Sequence, residues 1–184
     1  MQSDRFTALV RNAIGAAQSA ALAADHQKLT AEHVLAALLK DDNMTVKMLL
    51  AKAGADSASL SALLKAGLDK FPQVTGSGAG QLQLDADLAR ILAAVEAEAK
   101  ARHDQFIAVD LLLLAMAKST GSVGKILKKA GVEPPPLGSA IDEMRKGRSA
   151  DSDAAEDSYD ALSRYTSDLT ESARNGKLDP VIGR

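Results

Sequence analysis

The sequence predicts an all-α fold made of two similar halves of about four helices each, followed by a linker and one further short helix. Three observations carry this. Aromatic residues are only 3% of the 184 and Trp is absent, while Ala and Leu dominate a hydrophobic share of 46%, a mixture suited to close helix packing and poor for a β-sandwich. An offset of 78 residues lays "HQKLTAEHVLAALL", from His26, on "DQFIAVDLLLLAMA", from Asp104, with their apolar positions in register. Those positions recur as one buried face of a helix rather than by strand alternation.

The first helix is expected to begin after Thr7 and its counterpart after Asp85, both good N-cap residues ahead of an apolar-periodic run. The same offset places Val10 on Leu88, Ile14 on Leu92 and Ala17 on Val95. In the second helix Leu29 falls on Ile107, Glu32 on Asp110, Val34 on Leu112, Leu35 on Leu113 and Leu38 on Met116. One residue then drops out, and an offset of 77 aligns "VKMLLAKAGAD" with "VGKILKKAGVE". Gly54 and Gly131 stand where the third helix of each half must stop, because glycine enters the left-handed C′ conformation with little strain. The fourth helices are expected to start near Ser57 and near Leu137, the latter after "EPPP", whose prolines suit a loop and a first helical turn.

One domain over residues 1–146 follows, with halves at about 1–71 and 84–146. Each half alone is too small to bury its apolar faces well, so the two should pack together. The join "PQVTGSGAGQLQL", residues 72 to 84, is too rich in glycine and polar residues to hold a helix. Its "GSGAG" lacks the preceding strand and βαβ context of a dinucleotide loop. Residues 147–158 are rich in Ser, Asp and Glu and read as a flexible, solvated linker. Order is expected again over residues 159–184, where Leu162, Tyr165, Leu169 and Ala173 recur at helical spacing before Asn175 and Gly176. A helix of that length needs something to pack on, and its partner is expected downstream of Arg184.

The formal net charge is −2 without a basic stripe, so nucleic acid is not an expected partner. There are no cysteines, in keeping with a reducing compartment. No signal-type apolar region opens the chain and no apolar run approaches the roughly 20 residues needed to span a bilayer. No membrane association and a cytoplasmic location are expected. His26, His33 and His103 lack the close pairing of zinc ligands, so no metal is expected. Without a nucleophile elbow, a catalytic Ser, His and Asp set has no support. "GSVGK", Gly121 to Lys125, has the wrong spacing for a Walker A loop and reads as a helix start.

The halves differ where they should match: His33 falls on Leu111 and Ala36 on Leu114, which makes the second half apolar over more than one stripe. Two accounts stay open. The extra leucines bury between the halves, or some remain exposed as a groove for apolar segments of other proteins.

The stretch "ALSRYTSDLTESARNGKLDPVIGR" is very similar to the approach to the first ATPase module in the Clp family of AAA+ chaperones. The two-part repeat resembles the Clp N-terminal domain, and "FPQVTGSGAGQ" resembles the ClpB, or disaggregase, branch. The resemblance implies a substrate-engaging N-terminal domain that binds unfolded or aggregated proteins for threading by ATPase rings. It implies ATP and Mg²⁺ in the full-length protein, a homo-hexamer, and cooperation with a DnaK-type chaperone system. No Walker A or B motif is present, so the chain itself is expected to be neither enzyme nor cofactor binder. The alternative is the adaptor-binding N-terminal domain of a Clp protease unfoldase, and a free-standing helical adaptor is a third class that the unfinished tail disfavours. Positions matching Thr7, Asp104 and Asp110 are implicated by the resemblance in engaging clients beside a hydrophobic groove, to which Leu92, Val109 and Leu111 are assigned. Thr7 has a plain role as N-cap, and Asp110 in a first helical turn favours the helix dipole. Val181 and Ile182 would contact adenine only in the full-length protein.

Overall fold

The computed structural model describes residues 3–40, 44–74 and 82–159. After a 3₁₀ turn at Ser3–Arg5, the first half holds α1 (Ala8–Ala23), β1 (Lys28–Leu29), α2 (Ala31–Lys40), α3 (Met44–Lys52) and α4 (Ser57–Leu68). The second holds β2 (Gln83–Leu84), α5 (Ala86–Ala101), α6 (Val109–Lys118), α7 (Ser122–Lys129) and α8 (Pro134–Arg145). The repeat is therefore structural, since α1 and α2 match α5 and α6 at the expected offset, and α4 matches α8 after the dropped residue.

Local chemistry sets the helix starts. The Thr7 hydroxyl accepts from the Val10 N–H at 3.5 Å, Asp85 Oδ1 from the Asp87 N–H at 2.9 Å, and Asp56 Oδ1 from the Ala58 N–H at 3.1 Å. α8 begins at Pro134 rather than near Leu137, because the prolines occupy the first turn, where the N–H groups they lack have no partner within a helix.

The halves are stitched crosswise. β1 pairs in parallel with β2, Lys28 beside Gln83 and Leu29 beside Leu84. Reciprocally, Phe6 ahead of α1 bridges in parallel to Ile107 ahead of α6. Phe6 is the repeat counterpart of Leu84, and Ile107 of Leu29, so the same contact is made twice with the partners exchanged, as around a two-fold axis. The helices repeat the exchange, with α4 packed on α7 and α3 on α8. One hydrophobic core runs through both halves.

Residues 147–158 depart from the expected linker, and the packed domain continues past Lys146 to Tyr159. Ala150, Ala155, Glu156 and Tyr159 are buried. The Ala150 carbonyl accepts from the Gln105 N–H at 3.1 Å and the Phe106 N–H at 2.9 Å, and the Asp153 carbonyl from the Ala8 N–H at 2.8 Å. The segment supplies main-chain carbonyls, and the Glu156 side chain, as partners for backbone N–H groups of the core. Residues 75–81 of the join and the expected helix after Tyr159 lie outside the described residues.

The two helix-ending glycines meet at the pseudo-axis, with φ of +87° at Gly54 and +88° at Gly131. A Cβ at Gly131 would stand 2.9 Å from the Gly54 carbonyl oxygen, whereas one at Gly54 would stand 3.7 Å from that of Gly131. Both alanine variants carry left-handed strain, but the clash belongs to Gly131. Gly54→Ala should cost about 1 kcal/mol and Gly131→Ala about 2–3 kcal/mol in urea unfolding; equal losses would show that this contact relaxes freely.

Candidate functional site

Four of the six expected client-contact residues, Thr7, Asp104, Val109 and Asp110, come together, and they do so in the interior. Their exposures are 0%, 4%, 0% and 0%. Arg145, from the last turn of α8, donates to Asp110 Oδ2 from Nε at 2.5 Å and to Oδ1 from Nη2 at 2.8 Å. Its Nη1 donates to Asp104 Oδ2 at 2.7 Å, while Asp104 Oδ1 accepts from the Ala150 N–H at 2.9 Å. Burial opposes the Arg145 charge, but the hydrogen bonds from this guanidinium to Asp110 and Asp104 outweigh it and hold its pKa above the ordinary value.

Beside this triad, Glu156 Oε1 accepts from the Thr7 hydroxyl at 2.7 Å and from the Val109 N–H at 2.9 Å. One carboxylate thus supports the first turns of α1 and α6, helices from different halves. α6 needs it, since its N-cap residue Ala108 has no side chain able to cap. Burial pushes the Glu156 carboxyl up from its ordinary range, opposed by the hydrogen bonds from Val109 and Thr7. Tyr159 stacks beneath Arg145 and Arg148, ring centroid 5.7 and 5.3 Å from the two guanidinium carbons. Burial drives its phenol up to about 12.

The expected client surface at the starts of α1 and α6 is thus occupied by the chain's own 150–159 segment. Leu92, 6% exposed, and Leu111, 0% exposed, lie outside this cluster. Leu111 is buried rather than exposed, and it lies beside α5 within the second half rather than between the halves. "GSVGK" is the start of α7, as its spacing implied. A Cβ at Gly121 would collide with the Asp87 carboxylate and one at Gly124 with the Ser119 carbonyl oxygen, so these glycines serve packing and make no phosphate cradle. Val181 and Ile182 lie outside the described residues.

The asymmetry between the halves nevertheless marks a groove, in the half opposite to the one the leucines suggested. Between α1, α2 and α4 an apolar groove of about 790 Å³ is lined by Ala13, Ala20, Ala24, Ala36, Leu64 and Lys65, among others. Its repeat counterpart beside α5 and α6 measures about 280 Å³. The sequence explains the difference residue by residue. Ala13 is replaced by Ile91, Ala36 by Leu114 and His33 by Leu111, so larger side chains fill the second groove. Ala20, Ala24 and Lys65 are replaced by Glu98, Arg102 and Asp142. Those charges close the mouth, Arg102 pairing with Glu98 at 3.0 Å and Asp142 at 2.8 Å, and Lys118 with Glu98 at 3.4 Å.

One end of the open groove is a histidine pair that spacing did not reveal. The Thr30 N–H donates to His33 Nδ1 at 3.2 Å, which fixes that nitrogen as an acceptor. The ring proton therefore sits on His33 Nε2 and is donated to His26 Nδ1 at 2.8 Å. Phe71 packs against both rings, its centroid 5.7 Å from each. Burial first, and His26 second, hold the His33 pKa below its ordinary 6.5, with Glu32 opposing. Among the described residues no cluster of three His, Cys, Asp or Glu side chains is placed to hold a metal ion.

The family model of the Clp repeat (R) N-terminal domain matches residues 5–160. The chaperone protein ClpB of Rhizobium meliloti (strain 1021) is 45% identical over 185 residues, covering 100% of this chain and 21% of that protein. ClpB of Rickettsia bellii (strain RML369-C) is 36% identical over 184 residues with the same coverage of 100% and 21%. The chain thus spans about a fifth of the length of these curated relatives. Among solved structures, the Hsp104 N-terminal domain from Candida albicans superposes with a TM-score of 0.72 at 22% identity, over 82% of this chain and 98% of that one. At that identity the likeness shows the fold.

The Glu156 bridge and the histidine pair each make a measurable statement. Glu156→Ala strands a buried N–H and a buried hydroxyl and should cost about 1–3 kcal/mol, while Glu156→Gln keeps the acceptor without the buried charge and should cost less than half as much in urea unfolding. Equal losses would mean that the charge, not the acceptor, holds the helices. A histidine with a lowered folded pKa contributes stability that is present above its unfolded value and lost as pH falls through it. The thermal midpoint should therefore decline as pH drops below about 6.5, and His33→Leu, which copies Leu111, should flatten that decline; an unchanged slope would remove His33 as its source.

Proposed function

The chain belongs to the Clp repeat (R) N-terminal domain family, and from that premise we propose that it is the polypeptide-recognising N-terminal domain of a ClpB-type disaggregase. Its part is to engage apolar segments of unfolded or aggregated proteins and hold them for threading. ATP, Mg²⁺, hexamer assembly and cooperation with a DnaK-type chaperone system belong, on this reading, to the whole cytoplasmic protein. None of them is routed through the residues described here.

The observation that carries the reading is the open apolar groove between α1, α2 and α4 in a domain whose counterpart groove is filled. A preformed cleft with apolar walls on rigid helices can take varied side chains without reorganising. The ClpB relatives, matched along the entire chain, support the assignment to the disaggregase branch.

Binding should be weak at each copy, with Kd of about 10–100 μM or roughly −5.5 to −7 kcal/mol, because few side chains are buried and a flexible client must be ordered. Six linked copies would raise the avidity. Fluorescence anisotropy with reduced, carboxymethylated α-lactalbumin should give a constant in that range, and the native disulfide-bonded protein should bind at least about tenfold more weakly. Equal binding of both forms, or none of the unfolded form at about 1 mM, would overturn the reading.

A further inference from the structure

Along α1 the groove is floored by Ala13, Ala16, Ala20 and Ala24, three turns of helix or about 16 Å in length. Alanines let another backbone come close, and Leu64 and Leu68 of α4 form the facing wall. This is room for a short helix or extended strand inserting several apolar side chains.

The rim adds selectivity. Lys40 and Lys65 line the groove, are exposed, and make no ion pair among the described residues. Their counterparts in the second half are committed, since Lys118 pairs with Glu98 and Asp142 with Arg102. Asp69 also lines the groove, so its charged lining residues sum to a positive excess on a chain whose net charge is −2. A self-complementary contact between two copies would bring lysine rim to lysine rim, which disfavours a second copy as occupant.

We propose that the groove between α1, α2 and α4 docks a polypeptide segment carrying apolar side chains at helical spacing flanked by aspartate or glutamate. This names the client chemistry of the recognition reading above and rests on it. The apolar side chains enter between the α1 alanines and the α4 leucines, and the flanking carboxylates pair with Lys40 and Lys65. The second half, plugged by Ile91 and Leu114 and closed by Glu98 and Arg102, does not bind in this way.

The test uses the unaltered chain and two fluorescein-labelled peptides of about 16 residues. Both carry leucines at i, i+3, i+7 and i+10, one with glutamate flanks and the other with lysine. The glutamate peptide should bind about tenfold more tightly, with the gap closing at about 0.5 M NaCl. Ala16→Leu and Ala36→Leu, which fill the groove from two different helices, should each weaken it roughly fivefold or more without lowering the thermal midpoint. Lys40→Glu combined with Lys65→Glu should reverse the preference between the peptides. Equal binding of the two peptides, undiminished binding by both filled variants, or peptide-independent dimerisation through this face in sedimentation would overturn the proposal. Unfolded α-lactalbumin titrated in parallel separates the two levels. If it still binds both filled variants at full strength, the groove assignment fails and client recognition stands. If it fails to bind the unaltered chain while the glutamate peptide behaves as expected, recognition of unfolded clients fails and the acidic-segment site stands.

Discussion

Everything else in the fold depends on how the interior satisfies the starts of α1 and α6, which lie in different halves but meet in one place. The first N–H groups of a helix have no partner within it, and leaving them buried without one costs about as much as a lost hydrogen bond each. At α1, Thr7 and the Asp153 carbonyl serve; at α6, where Ala108 offers nothing, Glu156 does. That carboxylate is drawn in from far along the chain, and the guanidinium of Arg145 lies close by, held between Asp104 and Asp110. A buried ion pair is weak evidence of net stabilisation, because desolvation offsets much of its Coulomb energy. Here its value is in place and direction: Arg145 anchors α8 to the α5–α6 turn and the first turn of α6, and Asp104 anchors the 150–159 segment to both.

Because the knot secures the second half and its C-terminal segment, the same helical frame can be used differently in the two halves. Duplicated backbones place α1 with α2 and α5 with α6 in like arrangement, so side-chain volume decides which groove remains open. In the second half Ile91, Leu111 and Leu114 fill the space, and the Lys118, Glu98, Arg102 and Asp142 chain of ion pairs spans its mouth. In the first, alanine and histidine stand at those places. Volume differences of a few methylenes matter in a close-packed body, since neighbouring helices cannot collapse to recover the space.

The repeat was legible because its strongest matches sit at backbone constraints. Gly54 and Gly131 require a left-handed conformation, and Thr7 and Asp85 stand where helices need caps, so these positions report geometry and not merely hydropathy. The burial of the residues expected to contact clients has a physical reason too. Apolar pattern marks which residues avoid water but not whether their surroundings are filled, so at Leu111 and Leu114 it leaves packing and exposed groove both open, and only their burial decides for packing. An alanine that leaves a groove open gives no such signal by itself; comparison across the repeat, Ala13 with Ile91 and Ala36 with Leu114, is what points to it. The 147–158 segment reads as a solvated linker because Ser, Asp and Glu dominate it, and composition cannot tell a carboxylate facing water from one aimed at a buried N–H. His26 and His33 lie seven residues apart on separate elements, and only the fold of β1 into α2 brings their rings together.

The recognition role proposed for the domain would set conflicting demands on its surface: it must expose apolar area, yet not adhere to copies of itself or collapse. Placing the groove on the alanine face of α1 meets the first demand with little side-chain entropy to lose, since alanine has no rotamers to freeze. The lysines at the rim address the second, because like charges face each other when two copies approach. The Glu156 carboxylate addresses the third, tying the start of α1 to the start of α6 and so one half to the other. A preformed face spends little on ordering itself, so on the recognition role proposed above the weak binding of any one client follows from the few side chains buried and from the ordering of the client.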